Sequence, residues 1–244
     1  MALRVTIWNE FHDERHKEDA RAVYPDGIHA ALAQAFAGDD RFQVATATLD
    51  DADQGLSDAR LAETDVLFWW AHHRHADVAD DLAVRVQQRV LDGMGFVPLH
   101  SAHVSKPITR LLGASCQLSW RVAAERERLW VVAPGHSIAE GLGRYVELAE
   151  EEAYGEPFDI PAPDELVFVS WFQGGDVFRS GCGYRRGRGR IFYFRPGHET
   201  YPTYYVPEVQ QILRNAALWA APTDTAPLEF GRRPPLEPLP GWTD

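Results

Sequence analysis

Through the first half of the chain, short runs of apolar and β-branched residues alternate with stretches of helical periodicity. Residues 3–8, LRVTIW, read as a buried parallel strand. A polar segment follows, and then DGIHAALAQAFAG (26–38) offers Asp26 at an N-cap position and Gly38 as a C-cap. Strands are expected over 42–49 and 65–72, with a short helix near 58–62 between them. The clearest helix spans 77–93, where Leu82, Val84, Val86, Val90 and Leu91 roughly follow the helical period. Asp77, Asp80 and Asp81 fall in its first turn, where the helix dipole favours negative charge. A strand over 95–101 and a short helix over 105–113 continue the alternation. Short links between such elements imply a mainly parallel sheet covered on both faces, a three-layer α/β sandwich.

The second half reads differently. Residues 118–132 and 164–172 are extended, 176–197 contain a β hairpin around YRRGRGR, and 207–221 form a closing helix. Beyond Pro222 the chain is Pro-rich and irregular. No repeat or linker divides the rest, so residues 1–222 are expected to form a single domain, with 223–244 as a tail.

Composition narrows the partners. The net charge of -12 over 244 residues argues against nucleic acid or an anionic membrane, both of which require basic patches. Two cysteines, Cys116 and Cys182, make neither a zinc knuckle nor a disulfide framework. The first residues form a strand pattern rather than a leader, and no run approaches the roughly 20 apolar residues of a membrane span, so a cytoplasmic protein is expected. The aromatic second half leaves room for a subunit interface in a homo-oligomer.

Candidate chemistry gathers where strands end. In an open parallel sheet, ligands bind at the carboxyl ends of the strands. The first strand ends at Trp8, Asn9 and Glu10; the strand through Trp70 ends at His72, with His75 three residues on. The strand through Val97 delivers His100 and His103 from PLHSAH, and GRIFYF delivers His198, Glu199 and Tyr201. Spacing of i, i+3 places His72 and His75 on one helix face, with His73 pointing away. PLHSAH has the strand–turn–helix pattern of an elbow with His100 at its apex, while the G-x-S-x-G of a serine hydrolase is absent. Histidine there suits a general base or metal ligand.

Longer stretches carry a resemblance. VTIWNEF, YPDGIH, DVLFWWAHHRH, LHSAH, LLGASCQLSWR, ERLWVVAPGHSIAEGLG and IFYFRPGHETYPTYY make the chain resemble the trehalose-utilisation (ThuA-like) family over nearly its whole ordered length. The resemblance implies a flavodoxin-like, class I glutamine amidotransferase-like scaffold. That scaffold's elbow cysteine is replaced here by His100, while Gly197–His198–Glu199 resembles its late His–Glu pair. Losing the nucleophile argues against glutamine hydrolysis.

The resemblance further implies work on 3-keto-glycosides such as 3-ketotrehalose, made by a partner sugar-oxidising oxidoreductase. Metal-assisted isomerisation of 3-keto to 2-keto sugars through an enediol fits the residues; it needs a base beside the carbonyl and a Lewis acid at oxygen. The alternatives are a metal-assisted hydrolase or lyase of the same compounds, or a non-catalytic sugar-binding or regulatory module. Candidate ligands for zinc or another first-row divalent ion are His72, His75, His103 and His198, with His100, Glu10 and Glu199 as catalytic candidates. Trp8, Asp26, His29, Trp70, Arg195 and Tyr201 are the candidate substrate contacts for a keto-disaccharide.

Overall fold

The computed structural model describes residues 2–223, 225–226 and 230–242; the remaining positions of the expected tail lie outside the described residues. Its nine strands are β1 (Leu3–Asn9), β2 (Phe42–Thr48), β3 (Val66–Trp70), β4 (Gly95–Leu99), β5 (Ser119–Val131), β6 (Tyr145–Gly155), β7 (Glu165–Phe172), β8 (Val177–Arg186) and β9 (Gly189–Phe194). They form one sheet of order β2-β1-β3-β4-β9-β8-β7-β5-β6. The first five in that order run parallel, with Trp8 opposite Trp69 and Trp70 opposite Leu99. From β9 onward every pairing is antiparallel. The expected hairpin, with Arg186 opposite Gly189, is thus the first step of a wide antiparallel extension continuous with the parallel half.

The helices are α1 (Asp13–His16), α2 (Glu18–Val23), α3 (Ile28–Gln34), α4 (Asp58–Glu63), α5 (Asp80–Leu91), α6 (Lys106–Leu112) and α7 (Pro207–Ala220). On one face, Ile28 and Leu32 of α3 and Ile212, Leu213 and Ala216 of α7 pack with Val5, Ile7, Phe68 and Trp70. On the other, Leu61 of α4, Leu82, Val86 and Val90 of α5 and Ile108 of α6 pack with Trp8, Leu67, Trp69 and Phe96. Burial on both faces explains why β3, VLFWW, is apolar at every position and buried throughout. Among the described residues no helix is long and apolar enough to cross a membrane.

Two local expectations change. The helix expected from residue 77 begins at Asp80, preceded by a 3₁₀ turn at His75–Asp77. Gln54 captures this backbone, donating to Asp77 O at 2.8 Å and accepting from Ala79 N at 2.9 Å. His72 and His75 therefore do not share a helix face. Gly27 rather than Asp26 precedes α3, and Asp26 is an exposed turn residue that makes no side-chain cap.

Candidate metal centre

Strands β1, β3, β4 and β9 are neighbours, and the residues after their carboxyl ends meet over one edge of the sheet. His72 follows β3. His100 follows β4 with φ of 50°, a left-handed backbone that non-glycine residues adopt only when the surroundings hold them there. His198 and Glu199 follow β9 through Gly197, whose φ is 123°. A Cβ on Gly197 would strike the Tyr204 hydroxyl, so this turn requires glycine. The indole of Trp70 fastens the same turn by donating to Gly197 O at 3.0 Å.

The three imidazoles of His72, His100 and His198 stand in a near-equilateral arrangement. Ring centres are 5.4 to 5.8 Å apart and each pair is steeply inclined, at 69° to 88°. Imidazoles bound at about 2.1 Å to a shared tetrahedral ion would put their ring centres roughly 5 Å apart. One donor atom from each ring and one from Glu199 all lie within 4.8 Å of one another. Each ring is tethered through Nδ1: His72 to Asp13 Oδ2 at 3.2 Å, His100 to Arg195 O at 3.1 Å, His198 to Thr200 Oγ1 at 2.8 Å. Outer partners on one nitrogen, leaving the other for an ion, are the usual surroundings of ligating histidines.

Unpartnered atoms mark the same place. His100 Nε2, Glu152 Oε2 and Glu199 Oε2 are buried without a well-directed hydrogen bond among the described residues. His100 Nε2 and Glu152 Oε2 are only 3.1 Å apart. Because the Arg195 carbonyl can only accept, Nδ1 of His100 carries the proton and Nε2 presents a lone pair. Buried lone pairs facing carboxylate oxygen are costly unless a cation or proton sits between them. The donor set therefore fits a first-row divalent ion, zinc included.

Electrostatics divide the rings. Burial opposes charge on His72, but the carboxylates of Asp13 and Glu199 outweigh it and raise the ring to about 10. Burial lowers His100 to about 3, assisted by the His72 charge. Burial likewise lowers His198 to about 4 and His103 to about 4. Glu199 is held well below the ordinary carboxylate range because its pairing with His72 overcomes burial, whereas burial raises Glu152.

His72, His103, His198, Glu152 and Glu199 line a cavity of about 590 Å³, within the range of small-molecule sites, with His100 buried behind them. His75 and His103 are on its wall but outside the four-atom group. His75 Nδ1 meets Ser105 Oγ at 3.1 Å, and His103 Nδ1 donates to Cys116 O at 2.6 Å. His100 moves from expected base to the group of potential ligands, and Glu199 joins it there.

Several expected site residues are built into the fold instead. Glu10 is buried and accepts from the backbone of His73 at 2.8 Å and Arg74 at 2.9 Å. Trp8 lies in the core, stacked on Trp69 at 3.8 Å, and Trp70 is equally buried, so neither offers a face to a sugar. Arg195 is wholly buried between Glu127 and Glu151. His29 contacts Asn9 Nδ2 at 3.2 Å, and Tyr201 is buried with its ring 5.3 Å from that of His198; neither these two nor Asp26 lines the cavity.

Five residues at the candidate site were missed. Asp13 and Lys17 come from the polar segment after β1, where α1 brings them beside His72 and Glu199. Their i, i+4 spacing was the available signal. His73, expected to point away, instead packs at 4.1 Å from the His72 ring and reaches Asp13 Oδ2 at 3.2 Å. Glu152 arrives from the antiparallel strand β6, which strand-end reasoning does not cover. Trp120 on the cavity wall is 66% exposed, which leaves an aromatic face open to a ligand.

The sheet order and the histidine–carboxylate cluster define an α/β sandwich with a candidate metal centre at the carboxyl edge of its parallel strands. The chain belongs to the ThuA family, described as trehalose utilisation, whose pattern matches residues 4–220; membership implies a role in trehalose utilisation. A ThuA-like protein from Parabacteroides merdae has a similar structure, with a TM-score of 0.68 and 15% identity over 94% of this chain and 95% of its own. Another from Bacteroides uniformis gives 0.63 and 16% identity over 89% and 91% of the two chains. A cytoplasmic protein from Salmonella typhimurium gives 0.57 and 10% identity over 91% and 100%. At these identities the likeness is one of fold. No curated protein matches the chain in sequence.

Proposed function

We propose that this protein converts 3-keto-glycosides to 2-keto-glycosides through an enediol, acting on the product of a sugar-oxidising oxidoreductase. The observation that carries this reading is the convergence of His72, His100, His198 and Glu199 donor atoms beside a cavity lined by Glu152 and by the exposed ring of Trp120. His72, His100, His198 and Glu199 would hold a divalent ion, which supplies Lewis-acid polarisation of a carbonyl oxygen.

The remaining chemistry is proton transfer by side chains. Glu152, its carboxyl raised above the ordinary carboxylate value by burial, is suited to take the proton from carbon 2 and return one to carbon 3. His103, neutral and tethered through Nδ1, has Nε2 left to carry the hydroxyl proton of carbon 2 to the carbonyl oxygen of carbon 3. The substrate loses two protons and gains two, with no oxidant consumed. Trp120 offers a flat apolar face for a sugar ring.

The test is NMR of 3-ketotrehalose incubated with the protein in heavy water. Isomerisation puts deuterium on carbon 3 of the 2-keto product without loss of the glycoside, and both chelator and Glu152→Gln stop it. Free glucose released before any exchange would replace this reading with hydrolysis or lysis. Sugar binding without exchange would leave a binding module.

A further inference from the structure

Glu199 faces two positive positions. Its Oε2 lies toward the imidazoles, 3.0 Å from His72 Nδ1 and 3.5 Å from His198 Nε2. Its Oε1 lies 3.2 Å from Lys17 Nζ. The same ammonium is 3.1 Å from Asp13 Oδ1 and 3.1 Å from His73 Nε2. The ammonium thus donates to the loop after β3 and the turn after β9 and forms an ion pair with α1, where Asp13 Oδ1 is buried without a hydrogen bond.

Without Lys17, those acceptors are a metal-ligand set. Asp13, His72, His73 and Glu199 bring one donor atom each within 4.8 Å of one another. The set shares His72 and Glu199 with the three-imidazole group, the arrangement by which a bridging carboxylate serves two ions about 3.5–4 Å apart. Like charges that close repel strongly, so an ammonium and a divalent ion would not share the second position.

We propose that the Lys17 ammonium occupies the second cation position of a site built for two, so that the protein holds a single ion at His72, His100, His198 and Glu199. The proposal rests on the metal reading of that first group only for the number of ions in the native protein. Lys17 neutralises Asp13, fixes Glu199 through Oε1 and leaves Oε2 for the ion. An alanine at position 17 would expose two carboxylates and an imidazole to solvent cations.

The experiment counts zinc per chain by elemental analysis after equilibration and gel filtration, comparing wild type, Lys17→Ala, Lys17→Met and Lys17→Ala/His73→Ala. Lys17→Met keeps most of the side-chain stem and removes the charge, so it guards against a folding defect in the alanine variant. The expected counts are one for wild type, two for each single variant and one for the double variant. A wild-type count of zero with one ion gained on losing Lys17 supports the place of Lys17 at the second cation position while overturning the single ion at the three-imidazole site. No gain in either single variant overturns the inference, as does a second ion that persists without His73. A wild-type count of two overturns it as well.

Discussion

Arg195 Nη1 donates to Glu152 O at 2.8 Å, so the strand that ends before His198 is bonded to the strand that carries Glu152. The same nitrogen reaches Glu151 Oε2 at 3.1 Å, and Glu151 Oε1 accepts from Gly197 N at 3.0 Å. One guanidinium thereby sets the spacing between the two sides of the cavity. It also compensates Glu127 and Glu151, both without solvent exposure.

Arg195→Met leaves those two carboxylates buried and unpaired. Removing one partner of such a group typically costs about 3–5 kcal/mol, far more than a surface contact. Urea unfolding should show a loss of that size, and pairing the change with Glu127→Gln should recover part of it. A loss below 1 kcal/mol, with sugar binding abolished, would return Arg195 to the role of substrate contact.

His72 couples the metal-free protein to pH. Its folded value, about 10, lies above that of a free imidazole, about 6.5. Its contribution to stability is therefore full below about 6.5 and is lost as pH rises toward 10. Its partner Glu199 is shifted the other way, and contributes fully above the ordinary carboxylate value but less as acid protonates it. The alkaline decline in urea midpoint should flatten in His72→Gln.

An ion at the proposed centre would displace that proton. At pH 7 His100 and His198 are already neutral and Glu199 already ionised, so His72 is the group in the set that releases a proton. Zinc titrations in buffers of different ionisation enthalpy should give roughly one proton per ion. His72→Ala should bind more weakly and release close to none.

The parts of this site legible in the sequence are those that parallel topology delivers. A buried strand followed by histidine, repeated after β3, β4 and β9, brings His72, His100, His198 and Glu199 to one edge together with His75 and His103, but does not tell the ligand candidates His72 and His198 from His75 and His103. What stayed hidden depends on contacts across the chain. The four residues of α1 are too few to show a hydrophobic period, so Asp13 and Lys17 read as loop. Glu10 and Arg195 have the residue types of chemistry, but their burial against backbone and carboxylates is a tertiary fact. His75 lost its helix to Gln54, a side chain more than twenty residues away.

Trp120 separates substrate binding from stability. It is exposed on β5, so Trp120→Ala should change unfolding free energy by no more than about 0.5 kcal/mol. An aromatic contact is worth about 0.5–1.5 kcal/mol, which corresponds to roughly a twofold to tenfold rise in KM for a keto-disaccharide. Unchanged KM would place the sugar elsewhere in the cavity.

Glu10 offers a test between positioning and proton transfer. Its two carboxylate oxygens accept from His73 N at 2.8 Å and Arg74 N at 2.9 Å, holding the bend that aims His72 and His73. Glu10→Ala removes both acceptors and leaves two backbone donors without them. Outer groups that orient metal ligands commonly change affinity by about 10–100-fold when lost. Zinc affinity should fall by that order, while kcat at saturating zinc stays within a few-fold of wild type and its pH profile keeps its shape. A base would behave in the opposite way, with zinc affinity intact, kcat collapsed and the acid limb of the profile gone.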